Sequence, residues 1–241
     1  MGVEIEVLDA PARACAAMLI GACAGHGHVV LTGGGTPGAA YEALAAAVRA
    51  VDVDVSGTTL WFSDERCVPP EDDRSNYKLV KDTLIDRLDD RSPPAVRRMK
   101  GELGPHAAAE DYEAQLQEAA ATRFELVLLG IGPDGHIASL FPDQDTLHER
   151  SKLVVGVERA GFEPYVPRVS LTLAALAQAR KVVVLVTGDS KAKAAAAAFG
   201  KYARPDEHVP ASLLASTASD VTVLLDPPAA KLLSSEPGGE R

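Results

Sequence analysis

Short apolar runs alternate with helical stretches along almost the whole chain, and no other feature constrains the fold so tightly. Val182–Val186 is the most β-branched of these runs. His28–Leu31, Thr58–Phe62, Phe124–Leu129 and Val221–Leu225 read as further strands, with Val3–Leu8 as an edge strand. Leu153–Val157 and Arg168–Leu171 complete the set. Helices are expected over Ala12–Ala24, Pro37–Ala50, Asn76–Leu88, Ala107–Ala121 and Lys191–Phe199. Such alternation predicts an α/β fold: a mostly parallel sheet flanked by helices on both faces, Rossmann-like and doubly wound. No repeat and no linker divides the 241 residues. The expectation is a single domain over residues 1–234 and a flexible C-terminal tail over 235–241.

Charge and composition exclude several function classes. The net charge of −10 argues against nucleic acid or an anionic membrane surface as the main partner. A small anionic substrate stays compatible with it, because a few local cations can focus one site. No apolar run approaches the roughly 20 residues that span a bilayer. Glu4, Glu6 and Asp9 precede an Ala-rich helix, unlike the basic start of a secretory signal. Cys15, Cys23 and Cys67 show no CxxC spacing, and the six histidines include no HExxH pair. His26 and His28, flanking Gly27, read as loop residues. A reduced cytoplasmic enzyme with no metal is the default. Oligomeric state stays open, with a monomer among the options.

Two glycine-rich loops follow strands. Leu31-Thr32-Gly33-Gly34-Gly35-Thr36-Pro37 joins a strand to a helix, with Thr36 suited to the N-cap and Pro37 to the first helical position. Its amides suit an anion. Gly33, Gly35 and Gly38 also match GxGxxG, but Asp52 and Asp54 stand before the second strand. A dinucleotide site wants its acid at that strand's end, so a phosphate cradle is preferred. Gly130-Ile131-Gly132-Pro133-Asp134-Gly135-His136 follows the Phe124–Leu129 strand. Asp134 and His136 admit three readings: a turn residue with an ordinary histidine, part of a second GxGxxG, or a base oriented by an acid. Ser63-Asp64-Glu65-Arg66 lies at the same sheet edge. Asp72-Asp73-Arg74-Ser75-Asn76-Tyr77 opens a helix, where capping and solvation would account for it. Arg168 heads a short strand. Lys191 falls in the first turn of a helix and so opposes its dipole, which favours an anion bound nearby.

Taken together, these segments resemble the 6-phosphogluconolactonase family, within the group that includes glucosamine-6-phosphate isomerase/deaminase. The resemblance rests on Thr32–Pro37, Ser63–Pro69, Ser75-Asn76-Tyr77, Gly130–Pro142, Arg168–Thr172, Gly188 with Lys191, and Pro210-Ala211-Ser212. It implies hydrolysis of 6-phospho-D-glucono-1,5-lactone to 6-phosphogluconate without a cofactor. His136 would be the general base and Asp134 its orienting partner. Gly33, Gly34, Gly35 and Thr36, with Arg168 and Lys191, would hold the phosphate. Asp64, Arg66 and Arg74 are further candidate substrate contacts, Asp64 being equally compatible with a structural role. The lactone oxyanion would need donors, for which amides near Gly33–Gly35 or Gly132, or a nearby cation, are candidates.

Three rivals stand beside this reading. Isomerase/deaminase sequences typically place a Glu immediately before the Pro of this motif, where this chain has Phe141, which cannot exchange a proton. A nicotinamide dehydrogenase is disfavoured because this chain lacks the ribose-binding acid. A non-catalytic sugar-phosphate sensor domain, as found fused to DNA-binding regulators, would need a helix-turn-helix segment, for which the residues before the first crossover unit leave no room.

Overall fold

The apolar runs become the strands of one seven-stranded sheet, in a computed structural model that describes residues 2–51, 53–88, 93–121 and 123–235. The chain begins with β1 (Gly2–Val7), α1 (Pro11–Ala24), β2 (His28–Leu31), α2 (Gly38–Val51) and β3 (Thr59–Phe62). After β4 (Asp64–Arg66) come α3 (Asn76–Thr83), β5 (Ala95–Val96), α4 (Pro105–Glu118) and β6 (Leu126–Leu129). Next are β7 (Val154–Val157), β8 (Arg168–Leu171), α5 (Leu173–Leu176) and β9 (Val182–Val186). The last elements are α6 (Ala192–Phe199), α7 (Leu214–Thr217), β10 (Asp220–Leu225) and α8 (Pro227–Ala230). Asp52 and residues 236–241 of the expected tail lie outside the described residues. Among the described residues, no helix is long and apolar enough to cross a membrane.

The main sheet runs β1-β10-β9-β6-β2-β3-β5, all neighbours parallel. Both its faces are buried, as continuous apolar strands require. Val30, Trp61, Val127, Val184 and Val223 point to one side, where they meet α4, α5 and α6. Val29, Leu31, Leu60, Leu128 and Leu185 point to the other, against α1, α2 and α3. From β2 the chain builds outward through β3 and β5; from β6 it builds the opposite way through β9 and β10. The switch point therefore lies between β2 and β6, and a crevice opens there at the carboxyl ends of the strands. The loops after β2, β6 and β9 all emerge beside it.

One part of the sheet expectation needs correcting. β7 and β8 do not join the parallel sheet but form, with β4, an antiparallel sheet of order β4-β8-β7. The cause is the connections: only Ser63 separates β3 from β4, and residues 158–167 join β7 to β8 without a helix. Parallel neighbours need a crossover, which neither link supplies. Helix α3 is also shorter than expected. It stops at Thr83, whose hydroxyl donates back to Leu79 O at 2.6 Å, and a separate 3₁₀ turn follows over Ile85–Arg87.

Glu65 fastens the small sheet to α3. It is 3% exposed and accepts from the amides of Arg66 (2.7 Å), Asn76 (2.7 Å) and Tyr77 (2.8 Å) and from Ser75 Oγ (3.0 Å). Two of those amides open α3, where no intrahelical acceptor exists. Ser75 caps the next one, accepting from Lys78 N at 3.2 Å. Burial pushes the Glu65 carboxyl above its ordinary range, against the opposing pull of its four donors. Glu65→Ala should therefore lower stability by about 3–5 kcal/mol, given roughly 1–3 for each buried donor left unpaired. Urea unfolding checks this, and a loss below about 1 kcal/mol would show that water replaces the carboxylate.

Candidate active site

A cleft of about 330 Å³ occupies the switch point. Thr32, Gly33, Gly34, Gly35 and Thr36 line it, as do Asp64, Arg66, Arg168, His136 and Lys191. Asp134 stands just behind His136. The structure thus gathers ten of the eleven expected site residues at the cleft or directly on it. Arg74 is the exception: its guanidinium grips Asp72 at 2.8 and 2.7 Å, outside the cleft lining. Only its carbonyl reaches toward the site, accepting from Arg66 Nη1 at 2.5 Å.

The acid and the imidazole meet despite their short separation. His136 Nδ1 lies 2.5 Å from Asp134 Oδ1, and the same oxygen accepts from the His136 amide at 3.3 Å. A carboxylate only accepts, so Nδ1 carries the proton of this bond, and in the neutral ring the lone pair is then on Nε2. This contact depends on Gly132. A Cβ there would fall 2.0 Å from Nδ1 and 2.4 Å from Asp134 Oδ1. Gly132 N donates to His136 O at 2.8 Å and Gly135 N to Gly132 O at 3.0 Å, closing the turn. Gly132 is thereby removed from the candidate oxyanion donors. Burial alone would raise the Asp134 pKa, but the hydrogen bond and charge of His136 outweigh it and hold the carboxyl below its ordinary value. Ala211 N bonds Gly135 O at 2.9 Å, so the Pro210-Ala211-Ser212 segment buttresses the turn from outside.

The glycine loop is anchored at both ends and empty in the middle. Tyr41 Oη, fully buried, accepts from Thr32 N at 2.9 Å and donates to Thr32 O at 2.6 Å. Thr187 Oγ1 donates to Thr36 Oγ1 at 3.2 Å at the far end. The helix begins at Gly38, one residue later than expected. Among the described residues the amides of Gly33, Gly34 and Gly35 donate to no protein acceptor, which leaves a cradle of free N–H groups. The Lys191 ammonium likewise has no hydrogen-bond or ion-pair partner among the described residues, only its amide bonding to Gly188 O at 3.1 Å. Burial pulls its pKa down while the charge of Asp134 pulls it up. A partly buried, unpaired cation facing free amides is arranged for an anion.

Arg168 is 2% exposed, and three carbonyls hold it: Nε donates to Val166 O (3.3 Å), and Nη2 to Phe162 O (3.3 Å) and Pro164 O (2.8 Å). Nη1, 4.0 Å from Asp64 Oδ2, is the remaining nitrogen. Burial draws the guanidinium pKa down to about 10, with Asp64 opposing, so it stays charged at neutral pH. Asp64 ties the loops together. Its Oδ1 accepts from Ser63 Oγ and Asn76 Nδ2, both at 3.1 Å, and its Oδ2 from Ser139 Oγ at 2.6 Å. Ser139 N in turn donates to Ser170 Oγ at 3.1 Å.

Asn76, Ser139 and Glu65 stand within the motifs that carry the resemblance but are not among the expected site residues. Asn76 reads there as the first residue of a helix, yet it is 1% exposed and reaches the cleft, with Nδ2 donating to Asp64 O at 2.9 Å. Among the described residues its Oδ1 has no hydrogen-bond partner, and it presses on Gly33. The run of three glycines held one usable signal, since one of them had to admit a neighbour.

An α/β fold whose crevice brings together free amides, cationic side chains and an acid-paired imidazole is thus on view, and comparison with known proteins fixes the class. The family model for Glucosamine-6-phosphate isomerases/6-phosphogluconolactonase matches residues 4–223. A 6-phosphogluconolactonase of Mycobacterium leprae is 37% identical over 214 residues, covering 85% of this chain and 84% of that protein. One from Homo sapiens is 36% identical over 201 residues, covering 81% and 76%. The crystal structure of a 6-phosphogluconolactonase from Thermotoga maritima superposes with a TM-score of 0.76 at 28% identity, covering 93% of this chain and 99% of that one. The chain belongs to the glucosamine-6-phosphate isomerase/6-phosphogluconolactonase family.

The packing of Asn76 on Gly33 is directly testable. A Cβ at position 33 would lie 1.7 Å from Asn76 Oδ1, whereas one at Gly35 meets nothing within 4 Å. Gly33→Ala should lower Tm by about 4–8 °C, for a cost of about 2 kcal/mol in a domain of this size. It should also weaken inorganic phosphate binding at least tenfold, while Gly35→Ala keeps the wild-type Tm. Equal melting of both variants would show that Asn76 does not hold the loop.

Proposed function

We propose that this chain is a 6-phosphogluconolactonase, which hydrolyses 6-phospho-D-glucono-1,5-lactone to 6-phosphogluconate in the oxidative pentose phosphate pathway, in the cytoplasm. One observation carries the proposal: an imidazole whose Nδ1 is tied to Asp134 opens onto a cleft lined by free amides and an unpaired lysine. Nε2 of His136 takes a proton from water as the water oxygen attacks the lactone carbonyl. Asp134 steadies the imidazolium that forms. Charge then develops on the former carbonyl oxygen, which calls for a donor other than those the phosphate engages. As the ring C–O bond breaks, the imidazolium returns its proton to the departing ring oxygen, and the carboxylic acid that forms releases its remaining water-derived proton to solvent.

Gly33, Gly34, Gly35 and Thr36, with Arg168 Nη1 and Lys191, are the proposed phosphate-binding groups. A phosphate fixed there holds the lactone in place, so binding at one end lowers the barrier at the other. Arg66 is proposed as a further substrate contact and Asp64 as the residue that fixes the loops around it. Phe141 weighs against the deaminase of the same family. It is 1% exposed, and its ring packs 4.7 Å from that of His136, so an inert ring stands where the deaminase motif has its acid.

The test is the timed loss of freshly generated lactone with spontaneous hydrolysis subtracted. Wild-type protein should accelerate it in the presence of EDTA and release no ammonia from glucosamine 6-phosphate; the opposite pair of results would overturn the assignment. His136→Ala should lower kcat by about 10²–10⁴ with KM largely kept, the usual worth of a general base. Turnover near wild type in the folded variant would remove His136 from the chemistry. Lys191→Ala should mainly raise KM for the phosphorylated lactone and leave unphosphorylated gluconolactone nearly unaffected. Equal losses on both substrates would place Lys191 outside the phosphate site.

A further inference from the structure

Phe162 is an apolar ring held in a polar place. It lines the cleft, with its ring centroid 5.8 Å from that of His136 and the planes tilted by 39°, yet it is 36% exposed. A solitary phenylalanine on open surface needs no explanation. This one forms part of the cleft wall, and its backbone is secured there. Arg168 donates to the carbonyls on both sides of Glu163, those of Phe162 and Pro164. Behind the ring, Gly161 abuts Phe141 so closely that a Cβ would fall 3.1 Å from three of its side-chain atoms. Phe141 is consumed by the core, but Phe162 keeps part of its surface open toward the cavity. Glu163, next along, lines the same cleft with a carboxylate that has no partner among the described residues.

A six-membered sugar ring presents this corner with a complementary surface. Its hydroxyls project outward, while its faces carry axial C–H bonds with a slight positive charge. The face of an aromatic ring is slightly negative and sheds water readily. An aromatic wall with a few convergent polar groups is the usual composition of a small-molecule site. We propose that Phe162 is a specificity-determining residue, the platform on which the C–H face of the lactone ring stacks beside His136. The proposal rests on the sugar-lactone reading above and adds to it the group that reads the ring rather than the phosphate. Phosphate contacts alone would leave the ring free to swing; the platform restricts it to orientations in which the carbonyl can face Nε2.

The experiment uses Phe162→Leu, which keeps an apolar side chain without a π face, and Phe162→Trp, which keeps the face. Phe162→Leu should raise KM for 6-phosphogluconolactone about 3–10-fold, the range expected for an aromatic contact, while Phe162→Trp stays within about twofold of wild type. Both should melt with the wild type, since the ring is exposed. The Trp variant supplies a second readout, because the native protein has one tryptophan, Trp61, and it is fully buried. Glucose 6-phosphate, an unreactive ring, should change the new indole's fluorescence. Glycerol 3-phosphate, which carries the ester but no ring, should compete for the site without that change. A wild-type KM in Phe162→Leu, or an indole response that is absent for glucose 6-phosphate or equal for both ligands, would overturn the platform. A failure of the lactonase reading looks different: wild-type protein would then leave the lactone unaccelerated, while the fluorescence titration still decides whether the ring stacks.

Discussion

The parallel pairing of β2 with β6 is the constraint from which the site follows. Strand order reverses between them, so no crossover helix covers the crevice at their carboxyl ends. The glycine loop leaves one strand and the Gly130–His136 loop leaves the other. Neither loop has to be long or mobile to face its neighbour. The adjacent strands add the rest: β3 runs into Asp64 and Arg66, and β9 delivers Thr187 and Lys191. The cradle of free amides and the imidazole are held at fixed separation because they stand on adjoining strands rather than on a flexible arm.

The small antiparallel sheet makes that separation stable. Asp64 receives hydrogen bonds from Ser63, Asn76 and Ser139, three groups on three different segments. Ser139 lies three residues beyond His136, and Asn76 presses on Gly33. A single carboxylate thus links the anion loop to the loop that carries the base. A displacement of either is felt by the other through close packing, which suits an enzyme whose remote binding contacts serve the reacting centre.

Much of this was legible in the sequence. Continuous apolar strands marked the parallel sheet, and the glycine run before a helix marked a wall of the cleft. Lys191 reads in the sequence as a first-turn residue, whereas it closes a 3₁₀ turn just before α6 and lines the cleft. The misses have physical causes. β4 is Asp-Glu-Arg, three charged residues with no apolar alternation, so this strand of the small sheet left no pattern to detect. Glu65 and Asn76 belong to types that usually face water, and only tertiary contact shows them buried. Arg74 resembled a substrate contact until Asp72, two residues away, supplied a local partner. Phe162 lay in a long polar loop whose position over the cleft depends on Arg168. The direct bond between Asp134 and His136 was the hardest to foresee. It needs a missing Cβ at Gly132 and a positive φ of 85° at Gly135, features of backbone geometry rather than of composition.

That bond carries the central claim, because it decides which imidazole nitrogen is free to act as a base. Long-range ¹H–¹⁵N correlation spectra of protein labelled with ¹⁵N-histidine report the tautomer directly, with His136→Gln assigning the signal. Above the pH at which the ring becomes neutral, His136 should show a protonated Nδ1 and a bare Nε2, and Asp134→Asn should disturb that preference. A neutral ring with its proton on Nε2 would contradict the account, since the nitrogen facing the cleft would then have no lone pair to accept a proton from water.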